Sequence, residues 1–244
     1  MEVTRRSLIQ ATVAVSAVLA AGSTLGIDNP PQVLAEDEEK SLTDVEFEEV
    51  QFGVYPQYML GEDAVAPITW LVLSEKGSMK LLLSKYCLSA RPYDAVTDAN
   101  YRDVTWGECT LRSWLNEEFL QTAFSDDERS RICSSLLSAD ANPEFGTDGG
   151  SATEDKVFVP SLSEIAEAIG SDGADVLSAR ATGLASREGA YCIGTDRRCA
   201  WWLRTPGSRG MYALQVLPNG TVDVAGEDVT SCSVGVRPAL LLRF

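Results

Sequence analysis

Residues 199–207, CAWWLRTPG, hold the side chains of this chain best suited to recognising a ligand. An exposed tryptophan ring can stack on a sugar or an apolar peptide, and an arginine can hold a carboxylate with paired donors. Trp201, Trp202 and Arg204 are therefore the candidate binding residues. Neighbouring strand residues point to opposite faces, so one core face can take only one of the two indoles. The alternative, that both indoles are buried under different layers, is favoured because tryptophan is usually largely buried.

Two arginines lie close to prolines, Arg204 two residues before Pro206 and Arg237 directly before Pro238. The five donors of an arginine suit carboxylates and backbone carbonyls. The chain has 36 acidic and 20 basic residues, so we expect these arginines to form structural ion pairs. A ligand carboxylate is the alternative partner, and the sequence does not decide between the two.

The six cysteines could form disulfides, because an even number in an exported chain is typical of a disulfide framework. Cys192 and Cys199 are the favoured pair, since they could close a short loop just before the two tryptophans. Cys232 could instead pair with Cys199 if its strand lies alongside. Cys87 and Cys133 stand in apolar surroundings, and for them a role as small buried residues is favoured.

Histidine is absent from the chain, and the net charge is −16. Without histidine, neither Ser-His-Asp nor Cys-His catalysis is available, and the commonest transition-metal ligand is missing. No catalytic residue is predicted. A polyanion repels nucleic acids and anionic membrane surfaces, so neither is an expected partner.

An acidic loop at residues 138–155 carries oxygen ligands of the kind that calcium prefers. Their spacing does not match an EF-hand, and the triplets by which sugar-binding lectins hold calcium are absent. We therefore predict no cofactor and no metal site, and calcium stays an alternative that no motif supports. The residues concerned are Asp140, Asn142, Asp148, Glu154 and Asp155.

The first 35 residues are interpreted as an export signal. Arg5 and Arg6, followed by Leu8 and Ile9 and then by an apolar run, resemble a twin-arginine signal, and an ordinary secretory signal is the alternative. Residues 36–45 are acidic and lack an apolar period, so they are predicted to be a flexible tether. Residues 46–244 form the predicted domain, which we expect to be secreted or held at the cell surface, with no stable membrane insertion.

Strands are predicted at both ends of this domain, with helices between them, which indicates an α+β fold in one domain. Helices are expected to begin near Thr110, Ser125 and Ser161, where capping residues precede apolar helical periods. The second helix is predicted to bury Ile132 and Leu136. The predicted strands cover residues 47–55, 69–73, 80–84, 200–203, 211–217, 222–225 and 234–242.

Seven short segments follow one another along the chain: FGVYPQ (52–57), ITWLVL (68–73), LRSWLN (111–116), AFS (123–125), DKVF (155–158), WWLRTPG (201–207) and GVRPAL (235–240). In this order they resemble a family of uncharacterised bacterial domains known as DUF6273. The closing pattern also resembles C-type-lectin-like folds of the formylglycine-generating-enzyme type. This second resemblance implies that the N- and C-terminal strands pair in one sheet, beside the two to three short helices that the capping residues predict.

This resemblance carries no agreed chemistry, but it implies recognition or adhesion at a bacterial cell surface. The favoured hypothesis is an exported, non-catalytic binding module for an extracellular protein, peptide or glycan. One alternative is an enzyme related to formylglycine-generating oxidases, in which Cys192 and Cys199 would be the reactive pair that works with copper. Another is a purely structural protein of the cell envelope.

Overall fold

The computed structural model describes residues 47–58, 65–95, 103–170 and 174–244 of the protein. The predicted export signal and tether, residues 1–35 and 36–45, lie outside this part of the chain. All the described residues belong to one compact unit. None of their helices has the length and apolar character needed to cross a membrane.

Strands dominate the described residues and form two main sheets and two small two-stranded ladders. In chain order the strands are β1 (Glu49–Pro56), β2 (Val65–Lys76), β3 (Met79–Ser84), β4 (Ser89–Ala90), β5 (Ile132–Cys133), β6 (Ser135–Leu137), β7 (Thr153–Asp155), β8 (Val157–Phe158), β9 (Cys192–Ile193), β10 (Arg198–Cys199), β11 (Trp201–Pro206), β12 (Tyr212–Val216), β13 (Val222–Asp228), β14 (Gly235–Val236) and β15 (Ala239–Arg243).

The first sheet is antiparallel, in the order β1-β2-β3-β15-β5, and β8 also pairs with β15. Its first three strands form a meander, because short turns bring consecutive strands side by side. The predicted hairpin turn between β2 and β3 is confirmed, and Gly77 supplies the positive φ angle of +63° that it needs. The meander buries Ile68, Trp70 and Leu82 completely.

The N- and C-terminal strands of the domain lie in this one sheet, as the resemblance implies, but they are not direct neighbours. β1 pairs with β2, whereas β15 lies between β3 on one side and β5 and β8 on the other. The expected pairing of the first strand with the last is therefore wrong. The meander uses the inner edge of β1 for the local partner β2, and β3 is left to accept the C-terminal strand.

The second sheet has the order β13-β12-β11-β14-β4, and β11 and β14 are its parallel pair. The predicted hairpin between β12 and β13 is present, and its positive φ angle, +86°, belongs to Gly220. The predicted final strand at residues 234–242 is in fact two strands in two sheets, β14 and β15. Arg237 and Pro238 separate them, because proline cannot donate to a ladder.

Between β4 and β9 along the chain, the described residues form short helices, and these are more numerous than the expected two or three. The helices predicted at Thr110, Ser125 and Ser161 are confirmed, and the last two begin with complete capping boxes. A π-helical stretch, Leu115–Phe119, joins the first two of these six helices: α1 (Thr110–Trp114), α2 (Leu120–Ala123), α3 (Asp126–Arg131), α4 (Leu162–Ile169), α5 (Ala174–Leu177) and α6 (Gly183–Glu188).

The end of α3 corrects the predicted buried face of that helix. The helix stops at Arg131, and Ile132 begins β5, which pairs with the C-terminal strand. Ile132 is buried as predicted, but Leu136 is 80% exposed on β6. Pairing with β15 takes the chain out of the helix, so the helical spacing of these two residues no longer places them on one face.

Candidate functional site

Both candidate tryptophans lie in the core, on β11. Trp201 and Trp202 are fully buried, and each indole nitrogen donates to a backbone carbonyl, that of Leu177 at 2.8 Å and that of Arg91 at 2.9 Å respectively. Tyr93 packs against Trp202 edge to face, with ring centroids 5.7 Å apart. The structure therefore favours the alternative in which different layers bury both indoles, and neither ring has a face open to a ligand.

Arg204 is also buried and is held by a carboxylate of the same chain. Its Nη1 and Nη2 atoms donate to the two carboxylate oxygens of Glu164 at 2.5 and 2.6 Å. Nη1 also donates to the carbonyl of Val159 at 3.3 Å. This paired geometry is the strong form of an arginine–carboxylate contact, and it ties β11 to the start of α4. The geometry favours the structural ion pair over a ligand carboxylate.

Arg237 is fully buried between the sheets, where its donors reach backbone carbonyls. Nε donates to Ser84 at 2.7 Å and Nη1 to Val176 at 2.8 Å, and the guanidinium lies 5.0 Å from the ring centre of Trp201. Burial lowers the pKa of Arg237 to about 10, so it keeps its charge at neutral pH. The Arg-Pro segment thus joins both sheets to α5.

The segments that carry the family resemblance meet at Asp155. Its carboxylate accepts hydrogen bonds from Arg112 Nε at 2.7 Å, Trp106 Nε1 at 2.9 Å and Thr153 Oγ1 at 2.7 Å. Asp155 is buried, so each of these bonds replaces water around the charge. This network attaches the first helix to β7.

Two further polar side chains, one within these segments and one that binds to a segment, act in the same way. Asn116 accepts from the backbone N–H of Lys156 at 2.9 Å and donates to the carbonyl of Val157 at 2.8 Å. Glu128, from the capping box of α3, also accepts from the N–H of Gly53 at 3.1 Å. The motif residues are therefore occupied in holding segments of the domain together.

The loop considered for calcium also uses its side chains within the protein. Asn142 is buried and donates to the carbonyls of Pro206 and Val224, both at 2.9 Å. Asp140 accepts from Ser163, and this hydrogen bond lowers the pKa of the Asp140 carboxyl. Across the described ranges, no three histidine, cysteine or acidic side chains converge in a way that could hold a metal ion.

All six cysteines are free thiols in the structure, and the three disulfide candidates differ in position. Cys192 lies directly opposite Cys199 in the β9–β10 ladder, whereas Cys232 is exposed. Cys87 is buried, as favoured, and Cys133 is half-buried. The ladder thus brings together the favoured pair, and the pairing itself stays a prediction.

An indole that reaches solvent is present at a different position, Trp114 at the end of α1. Of the five tryptophans, Trp114 alone is only partly buried. The guanidinium of Arg91 lies 4.4 Å from its ring centre, and Arg91 Nη2 is 3.8 Å from Glu118 Oε1. The side chains of Arg91 and Glu118 are 36% and 67% exposed. We call these three residues, Arg91, Trp114 and Glu118, the Trp114 surface.

The Trp114 surface contains two donors without acceptors. Arg91 Nε and Trp114 Nε1 are both buried and find no hydrogen-bond acceptor in the part of the chain that the structure describes. An unpaired buried donor costs about 1–3 kcal/mol, so native proteins rarely leave two side by side. A ligand that brings an acceptor to this position would satisfy them.

The core residues beneath the surface hold Arg91 in place. Trp202 fixes the carbonyl of Arg91, and Glu188 accepts from Ser89 Oγ at 2.6 Å and from the N–H of Ala90 at 3.0 Å. Trp202 therefore supports the candidate site from behind.

Sequence reasoning missed Trp114 because it assigned all the apolar residues of the first helix to one buried stripe. Leu111, Leu115 and Phe119 recur every four residues and define the centre of that stripe, whereas Trp114 falls at its edge. A helical projection would have identified this edge position. No local pattern links Trp114 to Arg91. There are 22 residues between them in the chain, and only the fold brings the two side chains together.

The fold is that of an α+β domain, in which residues of the resemblance segments bond to other segments of the same domain. The family model described as "Domain of unknown function (DUF6273)" matches residues 77–244, which is more than half of the chain. The protein belongs to this family. No curated protein and no solved structure matches the chain significantly. The family match begins at Gly77, after the two N-terminal segments that also suggested the resemblance.

Proposed function

We propose that the protein is an exported bacterial binding or adhesion module, without catalytic activity, that holds an extracellular protein, peptide or glycan at the Trp114 surface. The observation that carries this proposal is the partly exposed Trp114 with Arg91 stacked on it and unpaired donors on both side chains. The twin arginine and apolar run at the N-terminus support export. The sheet shared by both terminal strands supports a C-type-lectin-like scaffold.

The chemistry of the surface favours a ligand with both an acceptor and an apolar or ring face. Arg91 brings a cation with planar donors, which suit a carboxylate or the hydroxyl oxygens of a sugar. Trp114 brings a ring edge and an indole donor, and aromatic residues with arginine are enriched at binding hot spots. The Arg91 side chain is 36% exposed, so an incoming acceptor can reach its guanidinium from solvent.

The two alternatives fit the geometry less well. An oxidase in which Cys192 and Cys199 work with copper would need a set of metal ligands, and the described residues hold no group of three histidine, cysteine or acidic side chains that could supply one. A purely structural protein would leave the partly exposed contact of Arg91 with Trp114 without a role.

Binding to defined probes by the full-length protein tests this proposal. Intrinsic fluorescence is titrated with an N-acetylglucosamine oligomer and, separately, with a tetrapeptide that has a free C-terminal carboxylate. We expect one of the two probes to change the emission, and Trp114→Phe to remove that change. Arg91→Ala should weaken the binding roughly 30-fold, in the range of hot-spot residues.

The matched control is Leu136→Ala, which alters an exposed apolar residue away from the Trp114 surface and should bind like the wild type. Acrylamide quenching supplies a ligand-free check, because the quenchable emission should come from Trp114 and persist in Trp201→Phe. Binding that survives both Arg91→Ala and Trp114→Phe would refute the assignment of the site. If neither probe binds, the proposed ligand classes are wrong.

A further inference from the structure

Three cysteines from different segments stand in a row, with Cys199 in the middle. Cys192 lies opposite Cys199 across the β9–β10 ladder, and the thiol of Cys199 also interacts with that of Cys87. Cys87 and Cys199 are fully buried, whereas Cys192 is half-buried. The row therefore runs from the surface into the core.

The outer pair has the arrangement that a cross-strand disulfide needs. Residues directly opposite in an antiparallel ladder point to the same face, with Cα atoms about 4.5–5.5 Å apart. Disulfides span Cα distances of about 4.4–6.8 Å. The backbone N–H of Cys199 bonds to Ala179 and not to the β9 strand, which is typical of the closer, non-hydrogen-bonded kind of pair.

The inner pair is brought together by the backbone around it. The N–H groups of Cys87 and Cys199 bond to consecutive carbonyls, those of Arg180 and Ala179, both within 3.0 Å. Gly235 lies between Cys87 and Ala200, the residue that follows Cys199. A Cβ at Gly235 would lie 2.9 Å from Cys87 Sγ and 3.0 Å from the carbonyl of Ala200, so only glycine permits this approach.

The inner pair also lies next to a buried cation. The charge of the Arg237 guanidinium interacts with both thiols, and no carboxylate contributes to the shift in its pKa. Thiol–disulfide exchange proceeds through a thiolate, and a nearby cation favours that form. Arg237 thus offsets part of the effect of burial and of hydrogen bonding with Cys87, which together raise the pKa of Cys199.

We propose that Cys199 is shared by two alternative disulfides, Cys192–Cys199 near the surface and Cys87–Cys199 in the core, and that the first is converted into the second. A small-molecule disulfide is the oxidant. The Cys192 thiolate attacks it and forms a mixed disulfide, and Cys199 then displaces the second small thiol from Cys192. In the last step Cys87 attacks Cys199 Sγ, the Cys192–Cys199 bond breaks, and Cys192 leaves as a thiolate that takes up the proton lost by Cys87. Overall, Cys87 and Cys199 are oxidised and the small disulfide is reduced to two thiols.

A time course with glutathione disulfide tests this relay. The reduced full-length protein is incubated with it, quenched with an alkylating reagent, digested without reduction and analysed by mass spectrometry. In the wild type we expect the Cys192–Cys199 linkage to rise and fall and the Cys87–Cys199 linkage to accumulate. Cys87→Ala should trap the outer disulfide, and Cys192→Ala should slow formation of the inner one by roughly 10-fold or more, since the buried thiols are poorly accessible.

Cys232→Ala removes an exposed cysteine outside the row and should leave both rates unchanged. The wild-type time course needs no substitution, so the result does not depend on the folding of any variant. Three results would each overturn the proposal. They are an end point with Cys192 linked to Cys199, an end point without either linkage, and an unchanged rate in Cys192→Ala.

Discussion

Arg91, Arg204 and Arg237 have the same side chain but different surroundings. Arg204 is paired with Glu164, and Arg237 donates to backbone carbonyls between the sheets, so both guanidinium groups are used within the fold. Arg91 lies on Trp114 with one donor unpaired among the described residues, and only this arginine is presented at the surface. Because identical donors serve structure in the core and recognition at the surface, burial decides the role of each arginine.

Tyr55 provides a prediction at this scale, on the stability of the domain at alkaline pH. Burial, and then the charge of Glu188, raise the pKa of Tyr55 from 10.0 to about 12. Between these two values the unfolded chain loses a proton that the folded protein keeps, so the free energy of unfolding falls as the pH rises. Tyr55→Phe should remove about 2 kcal/mol of this loss by pH 12, measured by urea unfolding at pH 9, 10, 11 and 12.

Tyr58→Phe serves as the control, because Tyr58 is 61% exposed, and we expect it to keep the wild-type pH dependence. The explanation would be wrong if Tyr55→Phe followed the wild-type curve throughout this range.

Among the elements, β1 and α2 meet at a point where only glycine fits. Gly53 has a φ angle of +69° at the irregularity of β1, and a Cβ there would contact the ring of Phe124 and lie 2.7 Å from the carbonyl of Ala123. Gly77 has a similar φ angle, +63°, but open space around it. A comparison of substitutions at Gly53 and Gly77 therefore distinguishes the cost of backbone strain from the cost of steric overlap.

Gly77→Ala should cost about 1–2 kcal/mol, the strain of a left-handed conformation alone. Gly53→Ala should cost about 3 kcal/mol or more, because backbone atoms of α2 must also move. Urea unfolding of both variants measures the difference. Equal losses would mean that the contact of β1 with α2 does not determine the requirement for glycine at Gly53.

For the whole molecule, the C-terminal strand β15 joins parts of the chain that lie far apart in sequence. It pairs with β3, β5 and β8, so the first sheet is complete only when the last residues are in place. Leu240 is fully buried in this strand. A cavity there would therefore weaken packing around the strand that joins the N-terminal meander to β5 and β8.

Leu240→Ala should lower the free energy of unfolding by about 2–5 kcal/mol, as expected for a fully buried leucine. Leu136→Ala makes the same chemical change at a residue that is 80% exposed, and we expect an effect within about 0.5 kcal/mol. Denaturant unfolding of the two variants compares them directly. A similar loss in both would contradict the central place of β15.

Local signals in the sequence were sufficient for the start of each main helix and for both hairpins. Ser125 and Ser161 begin helices because their hydroxyls and the following glutamates satisfy free N–H groups within four residues. Gly77 and Gly220 permit turns for an equally local reason, the absence of a Cβ. Together with the order of strands and helices, these signals predicted the α+β class, whereas the family was suggested by the resemblance of short segments.

The surroundings of each side chain were decided only by the tertiary structure. The sequence could not show that layers on both sides bury Trp201 and Trp202, that Leu136 is exposed, or that Arg91 lies on Trp114. It also could not place Cys87 beside Cys199, since 111 residues lie between them in the chain. Burial and contact depend on segments that are distant in the chain, whereas capping and turns depend on neighbours. The helix starts and turns of this protein were therefore determined locally, whereas its sheet order and candidate site were decided by long-range packing.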